Sequence, residues 1–133
     1  MVNTAPASTA LFPWVAAYNG TVDVVYCGTT ASSNNDPAAT WFTYMAETTD
    51  GVNFAQSHVN TANHLGVICT GGTSCQPGTR NLLDLFQVAI GPNNDKAGIV
   101  YTNDTLMKDS SGNPLPQVGL ARQNEESVTS RCV

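Results

Sequence analysis

Three side chains have the type and setting for ligand chemistry: His64, Arg80 and Asp84. Arg80 and Asp84 flank the start of an apolar run. A guanidinium can clamp a carboxylate through paired hydrogen bonds, and Asp84 could bind a sugar hydroxyl or an ion. The competing reading for the two is a local ion pair or a turn hydrogen bond. His64 lies in a long stretch without periodicity, where a simply hydrogen-bonded histidine is the plainer reading. Trp14, Trp41 and Tyr44 could stack on the apolar C–H face of a pyranose. Each falls inside a strand-like run, so core packing competes strongly. Asp50, followed by Gly51, reads as a structural turn whose carboxylate accepts backbone N–H bonds. No residue is assigned a catalytic role.

The cysteines are Cys27, Cys69, Cys75 and Cys132. Cys69 and Cys75 flank Thr70-Gly71-Gly72-Thr73-Ser74, a flexible loop that a disulfide could close into a small ring. Cys27 and Cys132 are then a long-range staple or two free thiols; four cysteines allow three pairings and the sequence does not choose. Zinc on Cys69, Cys75 and His64 is the rival, but the spacing is not that of a two-residue ligand knuckle. Asn34-Asn35-Asp36 and Asn93-Asn94-Asp95 are oxygen-rich enough for weak calcium contact, with Asx turns the stronger reading. No metal or cofactor is expected. Asn19-Gly20-Thr21 and Asn103-Asp104-Thr105 fit the glycosylation sequon.

Positioning these residues falls to a chain of 133 residues, enough for one domain and one modest core. Only 11% of residues are charged, and the net charge is -5. Five Lys and Arg cannot make a track for phosphates, nor do they suit an anionic membrane surface, so neither nucleic acid nor membrane is an expected partner. No apolar run approaches the ~20 residues of a membrane span. The polar residues are mostly Thr, Ser, Asn and Gly, which suits turn-rich β structure and a secreted, extracellular setting. Met1 to Pro6 has neither a basic nor an apolar leader region; either the mature chain begins near here or this is a segment of something longer.

Short β-runs separated by turn chemistry dominate. Residues 1–10 read as an extended arm, and residues 11–60 as a first four-stranded meander. Its strands are Phe12 to Ala17, Thr21 to Gly28, Thr40 to Thr48 and Asn53 to Val59, with a hairpin turn at Asn19-Gly20. Val22, Val24 and Tyr26 alternate with Asp23, Val25 and Cys27, so both faces of the second strand are largely apolar and need cover. Residues 61–80 form a long loop, of a kind that is usually functional or disordered. Over residues 81–133 the opening then returns. Asp84 to Ile90 echoes Leu11 to Ala17, Ala97 to Thr102 echoes Val22 to Cys27, and Pro116 to Arg122 supplies a third strand. The fold class is therefore all-β: antiparallel four-stranded meanders, about two blades of a β-propeller-like fold. A propeller has about four to eight blades, so closure must come from other copies or further sequence.

The run Thr48-Thr49-Asp50-Gly51-Val52-Asn53-Phe54 resembles the Asp-box turn of bacterial neuraminidase repeats, one residue shorter than the usual form. The wider pattern includes Phe12 to Ala16, Val25-Tyr26, Trp41 to Thr49, His64 to Cys69, Cys75 and Leu82 to Ala89. It resembles the C-terminal blades of secreted bacterial sialidase-like repeat proteins, over roughly Leu11 to Asp104. The resemblance implies a six- or seven-bladed propeller in the parent fold, not sialidase activity. Sialidases use an arginine triad, a Tyr-Glu nucleophile pair and an acid/base Asp. Arg80, Arg122, Arg131, Glu47, Glu125 and Glu126 match no member of that set. The expected function is an extracellular carbohydrate-associated β-propeller segment, either glycan-binding or a non-catalytic part of a sialidase-like protein, with any enzymatic activity being that of a sialidase-like glycoside hydrolase. The alternative is a structural subunit that completes its blades in trans as a homo-oligomeric ring or filament.

Overall fold

A computed structural model describes residues 1–59, 61–82 and 86–124. The described chain is all-β, built of antiparallel meanders, with no closed barrel. A first sheet runs in the order β1 (Thr9–Tyr18), β2 (Thr21–Thr29), β3 (Thr40–Thr48), β4 (Ala55–His58), with the two-residue β5 (His64–Leu65) also on β3. A second sheet runs β6 (Gln87–Ile90), β7 (Ala97–Lys108), β8 (Pro114–Arg122). No described helix is long and apolar enough to cross a membrane.

The first hairpin closes as its turn residues require. Asn19 and Gly20 have φ of 47° and 81°, the left-handed pair of a type I′ turn that matches strand twist. β1 is longer than the apolar run suggested, because pairing with β2 begins at Thr9. It is broken by a bulge between Leu11 and Trp14. Pro13, without an N–H, cannot serve the ladder there, and Phe12 takes a φ of 57°, costly for an aromatic residue. β3 occupies the stretch read from its aromatic pattern, and β7 runs six residues past Thr102 before its hairpin turn.

Both faces of β2 are covered from within the chain. Val25 and Cys27, with Trp41 and Met45 of β3, meet Val88, Ile99 and Tyr101 of the second sheet in one core. On the opposite face, Tyr26, Tyr44 and Ala46 close on Ala7. The N-terminal residues are thus a lid, not a free arm. Ser8 N–H donates to Thr29 O at 2.8 Å, Thr4 N–H donates to Gln56 Oε1 at 3.0 Å, and the Tyr26 hydroxyl donates to the same Gln56 oxygen. Gly28 permits this packing: a Cβ there would lie 2.5 Å from the Tyr44 ring.

The long segment after β4 is also structural in its first part. Ala62 to Leu65 lies between the sheets. Asn63 N–H donates to Trp41 O on one side and Asp104 N–H donates to Asn63 O on the other, at 2.9 and 3.1 Å. Asn103 Nδ2 and Thr105 Oγ1 both donate to Ala62 O. These bonds draw a short piece of irregular sequence into both ladders, which local periodicity could not reveal.

Candidate functional site

The second half of that segment forms a cleft around Arg80. Cys69 and Cys75 are bonded, with Cα atoms 5.7 Å apart, as small-ring closure requires. Ser74 Oγ donates to Gly71 O at 2.7 Å, and Cys69 N–H donates to Thr79 O at 2.9 Å, fastening the ring to the turn that carries Arg80. Asn34 reaches across from the β2–β3 loop: its Nδ2 donates to Ile68 O at 2.8 Å, and Ile68 N–H donates to Asn34 O at 3.0 Å. Between ring and core lies a cleft of about 260 Å³ lined by Phe12, Ile68, Thr70, Gly72, Arg80 and Leu82. Arg80 is exposed and makes no ion pair among the described residues. Phe12, turned by the bulge, supplies an aromatic wall, and Thr70 supplies a hydroxyl.

Of the predicted site residues, Arg80 stands at a cleft and three others do not. Trp41 is 0% and Tyr44 2% exposed; neither ring face can reach a sugar. Trp41 Nε1 donates to Gly66 O at 2.8 Å, and Tyr44 stacks on Tyr26 with centroids 5.5 Å apart. Their apolar area is worth more in the clusters on the two faces of the first sheet than on the surface. Trp14 is the exposed one, at 49%, beside a groove with Val100 and Val118. His64 is buried and structural. Its Nδ1 lies 2.9 Å from Asp104 Oδ2 and its Nε2 3.1 Å from Val67 O, and Asn81 Nδ2 donates to the same Asp104 oxygen at 2.9 Å. Burial pushes the Asp104 carboxyl up, but the bonds from His64 and Asn81 outweigh it and hold it below the usual range. Asp84 and Cys132 lie outside the described residues.

Asp50 and Gly51 have the turn geometry read from their sequence. Asp50 Oδ1 accepts from Val52 N–H and Asn53 N–H, both at 2.8 Å, and Oδ2 accepts from Asn53 Nδ2 at 2.7 Å. These donors hold the carboxyl well below its ordinary range. Gly51 takes a φ of 73°. Asp109 repeats the device in the β7–β8 turn, accepting from Ser111 N–H, Asn113 N–H and Asn113 Nδ2. The two Asn-rich loops are likewise turns. Asp36 Oδ1 accepts from Ala38 N–H and Asn94 Oδ1 from Lys96 N–H. No cluster of three metal-ligating side chains occurs among the described residues. Cys27 is a buried free thiol, pushed up to about 12 by burial despite the bond from Asn63.

Sequence reading missed Phe12 and Thr70 as cleft walls and Asp104 as the partner of His64. Pro13 was the one available signal, since a proline inside a strand pattern marks a bulge. The Asp104 contact spans 40 positions and leaves no local trace. No known protein family, curated protein or solved structure matches this chain.

Proposed function

We propose that this chain is a non-catalytic, carbohydrate-binding segment that takes a carboxylate-bearing sugar at the Arg80 cleft. The observation that carries this reading is the exposed Arg80 guanidinium, without an ion pair among the described residues, set against an aromatic wall, a hydroxyl and a disulfide-fixed ring. The guanidinium fork matches a carboxylate bidentately, Phe12 offers an apolar face for ring C–H groups, and Thr70 can exchange hydrogen bonds with a sugar hydroxyl. The volume is just under the ~300 Å³ lower end of small-molecule sites, which suits one terminal sugar rather than a chain. The resemblance of the sequence to secreted sialidase-like repeat proteins supports a secreted setting. A disulfide is at home in such oxidising compartments.

The test is titration with N-acetylneuraminic acid, glucuronic acid and galactose, followed by ligand-observed NMR. Binding of the two acids but not galactose, lost in Arg80→Ala, is the expected result. Equal binding of galactose, or binding indifferent to Arg80→Ala, refutes it.

A second reading, assembly of blades in trans, is favoured by one observation. Val88–Ile99 and Val15–Val24 are corresponding cross-strand pairs of the two hairpins. The sheets therefore stack head to tail, and the outer face of the second sheet corresponds to the face of the first that is already covered. That outer face exposes Val100, Val118 and Leu120. A further blade-like sheet, from another copy or from a longer chain, would cover it. A mass in solution of three chains supports a ring; a monomer at high concentration removes assembly in trans.

A further inference from the structure

A second cleft carries chemistry that the Arg80 site does not use. It measures about 430 Å³ and lies where the β6–β7 turn meets the end of β8. Its floor is the cross-strand pair Ala89 and Gly98, two positions with little or no side chain. Lys96 and Arg122 stand over it. These are two of the chain's five Lys and Arg residues, in a protein with ten Asp and Glu, yet neither forms an ion pair among the described residues. Two acids lie nearby, each accepting from one amide: Asp95 Oδ2 from Asn19 Nδ2 at 3.0 Å, and Glu47 Oε2 from Gln123 Nε2 at the rim at 2.7 Å. Gln123 Oε1 accepts from Ala97 N–H at 3.0 Å, so that amide is fixed at the rim. Asn94 also lines the cleft; its Oδ1 accepts from Lys96 N–H, and its NH₂ has no hydrogen-bond partner among the described residues.

We infer that this cleft is a binding site for a tetrahedral oxyanion, the phosphate or sulfate group of a small molecule. A planar guanidinium, a point-like ammonium and an amide NH₂ are three separate donor groups among the residues that line one cleft. That arrangement suits oxygens spread over a tetrahedron better than the two coplanar oxygens of a carboxylate. With an overall charge of -5, long-range attraction does not draw anions to this protein, so local pairing supplies the affinity. Binding is therefore in the millimolar to micromolar range and weakens with salt.

The test uses the full chain in dilute, phosphate-free buffer. Inorganic phosphate, inorganic sulfate, a hexose 6-phosphate and a hexose 6-sulfate are each titrated by calorimetry, with solution mass recorded alongside. Expected is saturable binding of at least one of these, weakened about tenfold or more by either Arg122→Gln or Lys96→Gln. Gly98→Val is the third variant. Its backbone is not left-handed, and a Cβ there meets nothing closer than Ala89 O at 3.9 Å, so valine fits the strand and fills the floor while both cations remain. It should abolish binding, and Arg80→Ala should leave it unchanged, which separates this site from the carboxylate cleft. Preference for the esters over the free ions identifies a sugar ligand, and the reverse identifies a free anion. Absence of binding by all four probes overturns the inference, as does equal affinity in the Lys96 and Arg122 variants. An oligomer that binds none of them overturns it too, because the apolar face beside the cleft would then be serving assembly.

Discussion

Asp23 places a charge where the fold can least accommodate it, and its neutralisation should stabilise the protein in a pH-dependent way. The residue sits in β2 on the face that meets the second sheet, beside Val25, and is 0% exposed. Neither carboxyl oxygen has a hydrogen-bond partner among the described residues. Its cross-strand neighbours are Ala16 on β1 and Glu47 on β3. Burial first, and the Glu47 charge second, raise its carboxyl from 3.8 to about 6. A rise of about 2 units is worth about 3 kcal/mol, at 1.36 kcal/mol per unit. The folded state binds the Asp23 proton more tightly than the unfolded chain does. Its contribution is therefore fully present below pH ~4 and is lost as pH rises through ~6. Asp23→Asn keeps the shape and removes the ionisation. Urea unfolding at pH 4, 5, 6 and 7.5 should show the variant near parity with the natural protein at pH 4, and more stable by roughly 2–3 kcal/mol at pH 7.5. The difference between the two proteins isolates Asp23, since Asp50, Asp104 and Asp109, all with lowered carboxyls, titrate alike in both. A pH-independent difference, or a variant less stable at pH 7.5, refutes the reasoning.

Two further outcomes follow from the packing. Asp104→Ala leaves the buried His64 and the half-buried Asn81 without the oxygen they share; unfolding free energy at pH 7 should fall by about 2–4 kcal/mol, and a loss below about 1 kcal/mol would show that the strap between the sheets does not depend on this pair. Gly28→Ala pushes a Cβ into a Tyr44 ring that is stacked on Tyr26 and closed over by Ala7. It should cost about 1–3 kcal/mol and loosen the N-terminal lid, read as faster proteolysis between Met1 and Thr9; unchanged cleavage there would mean that the lid is held by its hydrogen bonds alone.

Much of the fold was legible because it is local. Asn19-Gly20 specifies its turn through the positive φ both residues tolerate, and the Thr40 to Thr48 alternation marks β3 without help. Asp50-Gly51 specifies its own hydrogen-bonded loop within four residues. The two apolar faces of β2 were legible as a need for cover. What covered them was not: one partner is the second sheet, the other is Ala7 at the edge of a segment with no hydrophobic pattern. The candidate site divides the same way. Arg80 was a candidate by type, and the Cys69–Cys75 ring was one of three pairings left open until the fold brought the two Cα atoms to 5.7 Å.

The roles of Trp41, Tyr44 and His64 could not be read so, because burial is a property of the whole chain. An aromatic in a strand run serves a core or a ligand according to what is folded against it, and for Trp41 and Tyr44 that is the second sheet and the N-terminal lid. His64 became a clasp through Asp104, a contact between residues 40 apart. The sequence by itself determined the turns and the strand faces, whose energetics are settled within a few residues. Only the tertiary structure decided which polar groups were left to solvent, because desolvation depends on neighbours that distant parts of the chain supply.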